Sequence, residues 1–104
     1  MRKITAKIAQ AFENDKPCTS GNTAVKYSSS DNCLGIYLHG NRIAWKDKGK
    51  VYFTLCGWNT ITTRERLKAA GISVYVRNYI PYCLGEEISD SSIYLIDNGK
   101  LLKV

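Results

Sequence analysis

Leu55-Cys56-Gly57-Trp58-Asn59-Thr60-Ile61-Thr62-Thr63-Arg64-Glu65-Arg66-Leu67 joins the most strand-like run of this chain to a helix with a readable start. Lys50 to Cys56 puts Val51, Phe53 and Leu55 on one face and Tyr52 and Thr54 on the other, the period-two alternation of a half-buried strand. Gly57 supplies a corner at which the chain can leave a sheet. Thr62-Thr63-Arg64-Glu65 then has the spacing of a capping box, with Thr62 as the cap and Glu65 bonding back to it. Gly71 sits where a helix-ending glycine belongs. A short helix is therefore predicted over about 62–70, with Thr63, Leu67 and Ala70 turned inward. Arg64 and Lys68 share its outward face, a like-charge pair that costs roughly 0.2–0.5 kcal/mol and hints that the face has a use.

Upstream, residues 2–14 read as an amphipathic helix. Ile4, Ile8, Ala11 and Phe12 fall at helical spacing, and Lys3, Lys7, Gln10 and Asn14 turn outward. Asn14-Asp15-Lys16-Pro17 ends it, because the residue before a proline avoids the helical region. Cys18 to Asn22 reads as a loop, Thr23 to Tyr27 as a strand, and Ser28 to Asn32 as a polar turn. Cys33 to Leu38 carries Leu34, Ile36 and Leu38 on one face. His39-Gly40-Asn41 is a tight turn leading into Arg42 to Lys46, with Ile43 and Trp45 on one face and Arg42, Ala44 and Lys46 on the other. Asp47-Lys48-Gly49 turns again into the strand that opens this section.

Downstream, Ile72, Val74 and Val76 alternate with Ser73, Tyr75 and Arg77. Tyr79 to Leu84 reads as a second short strand that Pro81 confines to an edge or a bulge, because proline cannot donate to a ladder. Gly85 to Ser92 is an acidic, polar loop. Ile93 to Ile96, Asp97-Asn98-Gly99 and Lys100 to Leu102 form a hairpin on an Asn-Gly turn. The predicted class is α+β: an antiparallel β-meander with an N-terminal helix, a second short helix and a C-terminal β-hairpin, the helices covering one sheet face.

The 104 residues fit one domain, 1–104, and 44% hydrophobic content excludes a disordered chain. No apolar run approaches eighteen residues, so no transmembrane helix is expected. The basic start, Met1 to Ala9, has too short an apolar part, interrupted by Lys7, for an export signal, and a cytoplasmic location is expected. Cys18, Cys33, Cys56 and Cys83 are widely separated, with no C-x-x-C pair. They read as small buried hydrophobes, with neither disulfides nor a metal site expected.

Net charge is +6, from 15 Lys plus Arg against 9 Asp plus Glu. It concentrates between His39 and Lys68, where Arg42, Lys46, Lys48, Lys50, Arg64, Arg66 and Lys68 face only Asp47 and Glu65. Such a patch attracts nucleic acid, an acidic protein or an anionic surface. Aromatic and basic residues interleave there, and on a sheet face Arg42, Lys46, Tyr52 and Thr54 would lie together. Catalytic signatures are missing: there are no paired carboxylates, no G-x-S-x-G and no phosphate loop. The single histidine, His39, reads as a turn residue. The candidate contact residues are Arg42, Lys46, Lys48, Lys50, Trp58, Arg64 and Lys68, because Trp and Arg dominate binding hot spots and suit stacking on bases. The bland alternative for Gly57-Trp58-Asn59-Thr60 is architectural, with Trp58 plugging the edge of the core.

Leu38-His39-Gly40-Asn41-Arg42-Ile43-Ala44 and Gly57-Trp58-Asn59-Thr60-x-Thr62-Thr63-x-x-Arg66-Leu67 resemble small proteins encoded by tailed bacteriophages, a group with no assigned activity. Met1 to Thr5, Ala9 to Phe12 and Gly21-Asn22-Thr23-x-Val25 are similar to the same group, so the resemblance spans residues 1–76. It implies a viral gene product in a bacterial cytoplasm, acting on host machinery or host defence. The expectation is a non-enzymatic accessory protein, without cofactor, that binds a host or phage protein. A nucleic-acid-binding module built on residues 39–68 is the alternative. A homodimer formed by strand pairing along Tyr79–Leu84 is a further expectation.

Overall fold

The computed structural model describes residues 2–104. Its elements run α1 (Lys3–Glu13), β1 (Cys18–Ser20), β2 (Thr23–Tyr27), β3 (Leu34–Leu38), β4 (Asn41–Asp47), β5 (Lys50–Phe53) and α2 (Ile61–Leu67). A closing 3-10 turn, Lys68–Ala70, follows α2. Then come β6 (Val74–Arg77), β7 (Ile80–Cys83), β8 (Glu86–Glu87), β9 (Tyr94–Asp97) and β10 (Lys100–Lys103). Seven strands form one antiparallel sheet in the order β1-β2-β3-β4-β5-β9-β10, and β6-β7-β8 form a separate small sheet. The class is α+β with the predicted meander, two helices and C-terminal hairpin. No described helix is long and apolar enough to cross a membrane.

One ladder organises the core. Val25, Ile36, Ala44, Phe53 and Tyr94 stand opposite one another across five neighbouring strands. None is more than 6% exposed, and burying each large side chain contributes roughly 1.5–3 kcal/mol. Ile8 and Phe12 of α1, Leu67 of α2 and Val74, Cys83 and Ile88 from the small-sheet region complete the same cluster. The helices and the small sheet thus cover one face of the large sheet.

Four local readings need correction. Cys18–Ser20 is a strand, not a loop, paired with β2 from Cys18↔Val25 to Ser20↔Thr23; three residues are too few to show a period. The helix start lies two residues earlier, at Thr60, whose hydroxyl accepts from the Thr63 N–H at 3.1 Å. Glu65 closes no capping box, because its carboxylate is engaged elsewhere. β5 ends at Phe53, although Leu55 is buried as expected. β7 is the middle strand of the small sheet and not an edge, so the Tyr79–Leu84 segment has no free edge for strand pairing with a second copy. Pro81 is tolerated there for a reason of length. Its carbonyl accepts from the Ile88 N–H at 2.9 Å, and its nitrogen faces the same side, where two-residue β8 has already ended.

The fifth correction governs the site. Ile36 pairs with Ala44 but Tyr37 pairs with Arg42, leaving Ile43 as an extra residue in a β-bulge. Ile43 and Ala44 are consequently both buried, and the alternation beyond them is inverted. Trp45 lies on the face away from the helices, with Arg42, while Lys46 lies on the helix side.

All four cysteines are free thiols, and only Cys83 is fully buried; Cys18, Cys33 and Cys56 are half-buried. Burial pushes the Cys56 and Cys83 thiols up, away from thiolate reactivity.

Candidate functional site

Two tight turns meet beside the start of α2. In the β3–β4 turn, His39 (φ 51°) and Gly40 (φ 83°) are both left-handed. In the corner after β5, Cys56 (φ 54°) and Gly57 (φ 79°) repeat that conformation, and the Trp58 N–H closes the turn onto the Leu55 carbonyl at 2.8 Å. This is the type I′ pattern, in which glycine or asparagine is the usual occupant. The Gly57 N–H donates to the Asp90 carbonyl at 2.6 Å, and the Thr60 N–H donates to the Trp58 carbonyl at 2.9 Å. The Trp58 backbone is thus held on both sides, while its side chain is 62% exposed.

Between the turns lies a pocket of about 460 Å³. Leu38, Ile43 and Leu55 supply apolar walls, Trp58 stands at its side, and His39, Asn41, Thr60 and Thr62 supply polar groups. No Asp, Glu, Lys or Arg lines it. The Thr60 hydroxyl is committed to the helix cap and to Thr63 Oγ1 at 2.9 Å. The Cys56 thiol donates to the Arg42 carbonyl at 3.0 Å. Among the described residues, the side chains of His39, Asn41 and Thr62 make no hydrogen bond. No described buried side-chain N or O atom lacks a partner, so these three groups are open to water.

The seven expected contact residues do not form one patch. Arg42 lies on the open sheet face, paired with Asp31 at 2.8 Å and stacked 4.1 Å over Trp45. Lys46 lies on the opposite face. Its ammonium binds Asp15 at 2.8 Å and the Phe12 carbonyl, which places a cation at the C-terminal end of α1. Lys50 pairs with Asp97 at 3.8 Å, and Lys68 with Glu65 at 3.2 Å. Arg64 donates to the Asn59 carbonyl at 3.2 Å and to its side chain, bracing the corner. Lys48 is exposed in the β4–β5 turn without an ionic partner among the described residues. Trp58 is exposed, as a contact role requires and as the plug reading does not.

The open sheet face carries its own row. Trp45 and Tyr52 stack at 5.7 Å with planes 6° apart, and Arg42 covers the other side of Trp45. Gly35 makes room for that arginine: a Cβ there would stand 3.0 Å from both the Ala44 carbonyl and Arg42 Cδ. Trp45 is thus covered by Tyr52 and by Arg42.

A buried polar network lies further along α2, one turn beyond the pocket. Arg66, 4% exposed, donates from Nε to Thr23 Oγ1 at 2.9 Å and from Nη1 to Thr5 Oγ1 at 3.0 Å. Burial pushes its pKa down, and the Arg2 charge adds to that. Glu65 accepts from the Arg2 N–H and from Lys68, each at 3.2 Å. The Thr5 hydroxyl first, then the Arg2 N–H and Lys68, outweigh its burial and hold its carboxyl at about 2. Sequence reasoning missed this network, because nothing in a lone Arg or Thr marks it as buried. It also missed Asn41 and Thr62 as pocket groups; their only signal was closeness to Trp58 in a folded arrangement not yet known.

Two comparisons with known proteins found no match: neither a curated protein nor a solved structure matches the chain. The family model described as Kyanoviridae Gp96 protein matches residues 1–100.

Proposed function

The chain belongs to the Kyanoviridae Gp96 protein family of phage proteins, and on that premise we propose that it is a small accessory protein that acts by binding, its target a protein of the bacterial host, defence proteins included, met in the host cytoplasm. The observation that carries this reading is Trp58. A large aromatic ring, 62% exposed and outside the core cluster, is displayed by a fixed turn beside an apolar pocket. Rigid exposed tryptophans next to pockets are the usual anchors of protein interfaces. The cationic residues make a weaker claim on nucleic acid than their number suggests. Arg42, Lys46, Lys50 and Lys68 each have an acidic partner, and Trp45 is covered by Tyr52 and Arg42.

The test is capture from bacterial host lysate with tagged chain, comparing the wild type with Trp58→Ala. Because Trp58 packs little, Trp58→Ala should alter stability by less than about 0.5 kcal/mol. It should weaken a specific partner by about 2 kcal/mol or more, roughly thirtyfold. A partner retained at wild-type affinity by Trp58→Ala overturns the reading. A complex that dissolves steeply with salt and survives Trp58→Ala would instead identify phosphate contacts.

A further inference from the structure

We propose that the pocket between the β3–β4 turn and the Cys56–Thr63 corner binds a neutral planar heteroaromatic ring with hydrogen-bonding edges, of the purine or pyrimidine nucleoside class. The proposal goes beyond the protein-binding reading and does not rest on it.

Four observations converge. The volume, about 460 Å³, lies in the range of roughly 300–1,000 Å³ typical of small-ligand sites. The walls at Leu38, Ile43 and Leu55 are apolar, and no charged side chain lines the cavity, so a buried carboxylate or phosphate would find no counter-charge. An uncharged ring meets no such penalty.

The solvent-facing polar groups select the ring's edges. His39, Asn41 and Thr62 are pocket-lining side chains without a hydrogen-bond partner among the described residues. They stand in contrast to the committed hydroxyls of Thr60 and Thr63 next to them. A carboxamide offers a donor and an acceptor side by side, the pattern that pairs with the edge of a base. An aliphatic ligand would leave all three groups without a use.

The stacking surface is free as well. No ring or cation covers Trp58 among the described residues, whereas Trp45 is covered by Tyr52 on one side and Arg42 on the other. Base–indole stacking is thus open to Trp58 and closed to Trp45.

The experiment titrates the full chain with adenosine, guanosine, cytidine and uridine, each to millimolar concentration. N-acetyl-tryptophanamide and an aliphatic alcohol serve as comparison probes. Binding is read by amide shifts in a 1H–15N spectrum and by tryptophan fluorescence in a Trp45→Phe background, where Trp58 alone reports. The expected result is saturable binding of at least one nucleoside, with shifts confined to Leu38–Ile43 and Leu55–Thr63. Trp58→Ala and Asn41→Ala, both at exposed positions and each checked for an unchanged spectrum elsewhere, should weaken it at least tenfold. Binding should be insensitive to salt between 50 and 500 mM. No shift with any nucleoside, or shifts outside the pocket, overturns the proposal. So does N-acetyl-tryptophanamide binding more tightly than every nucleoside with Asn41→Ala without effect, because the occupant would then be a protein side chain. The titration contains no partner protein, so its failure is separable from failure of lysate capture.

Discussion

Replacing Arg66 with methionine tests how the two helices are fixed to the sheet. The guanidinium links α2 to Thr5 of α1 and Thr23 of β2 through bonds of 3.0 and 2.9 Å, and both hydroxyl-bearing residues are at most 1% exposed. Hydrogen bonds from a charged group contribute about 1.5–3 kcal/mol each. Against their sum stands the relief of no longer burying a cation, itself several kcal/mol. Methionine keeps the stem's packing but leaves Thr5 and Thr23 each with one partner fewer, so Arg66→Met should cost about 2–4 kcal/mol. For a chain of this size that corresponds to a fall in melting temperature of roughly 4–8 °C per kcal/mol. Urea unfolding supplies the free energy, with an unchanged m-value as the check that both states keep their compactness. The decisive quantity is the coupling with Thr5→Val: the double variant should be less destabilised than the sum of the singles by about 1–2 kcal/mol. The control pair Arg66→Met with Leu101→Ala, chosen on distant β10, should be additive. A cost of Arg66→Met below about 1 kcal/mol, or additivity with Thr5→Val, would refute the network as a structural tie.

Three further outcomes follow from the geometry. Glu65, held at about 2 against an ordinary 4.5, binds its proton less readily folded than unfolded. Its contribution is therefore present above pH 4.5 and is lost as pH falls toward 2. Glu65→Gln should flatten the acid limb of a stability–pH curve and cost about 1–2 kcal/mol at neutral pH after allowance for screening near Lys68. Gly35→Ala drives a Cβ to 3.0 Å from the backbone oxygen of Ala44. It should destabilise by about 1–3 kcal/mol and weaken the near-ultraviolet signal of the Arg42–Trp45–Tyr52 row, seen by circular dichroism. Tyr79 is 95% exposed at φ 66°, so Tyr79→Gly removes strain without removing packing and should raise stability by up to about 1 kcal/mol in thermal melts.

The phage resemblance and the α+β class were legible in the chain itself, and each rests on local signals. Ile8 and Phe12 at helical spacing, Val51 and Phe53 at strand spacing, and Asn98-Gly99 at a hairpin are decided by residues that are neighbours in sequence, whose backbone preferences and periodicity act over a few positions. The exposed tryptophan and its corner were singled out on the same basis. Tertiary structure decided what local signals cannot carry. One bulged residue at Ile43 inverted the strand's faces, so that Trp45 went to Arg42 and Lys46 to the end of α1, and the cations expected to form one patch were dispersed among distant acids. Arg66 and Thr5 meet across sixty-one positions. The pocket likewise exists only where the β3–β4 turn comes to lie against the start of α2. A period fixes which face a side chain takes only while the register holds, and register, burial and charge pairing are properties of strands and helices brought together, not of the stretch that encodes any one of them.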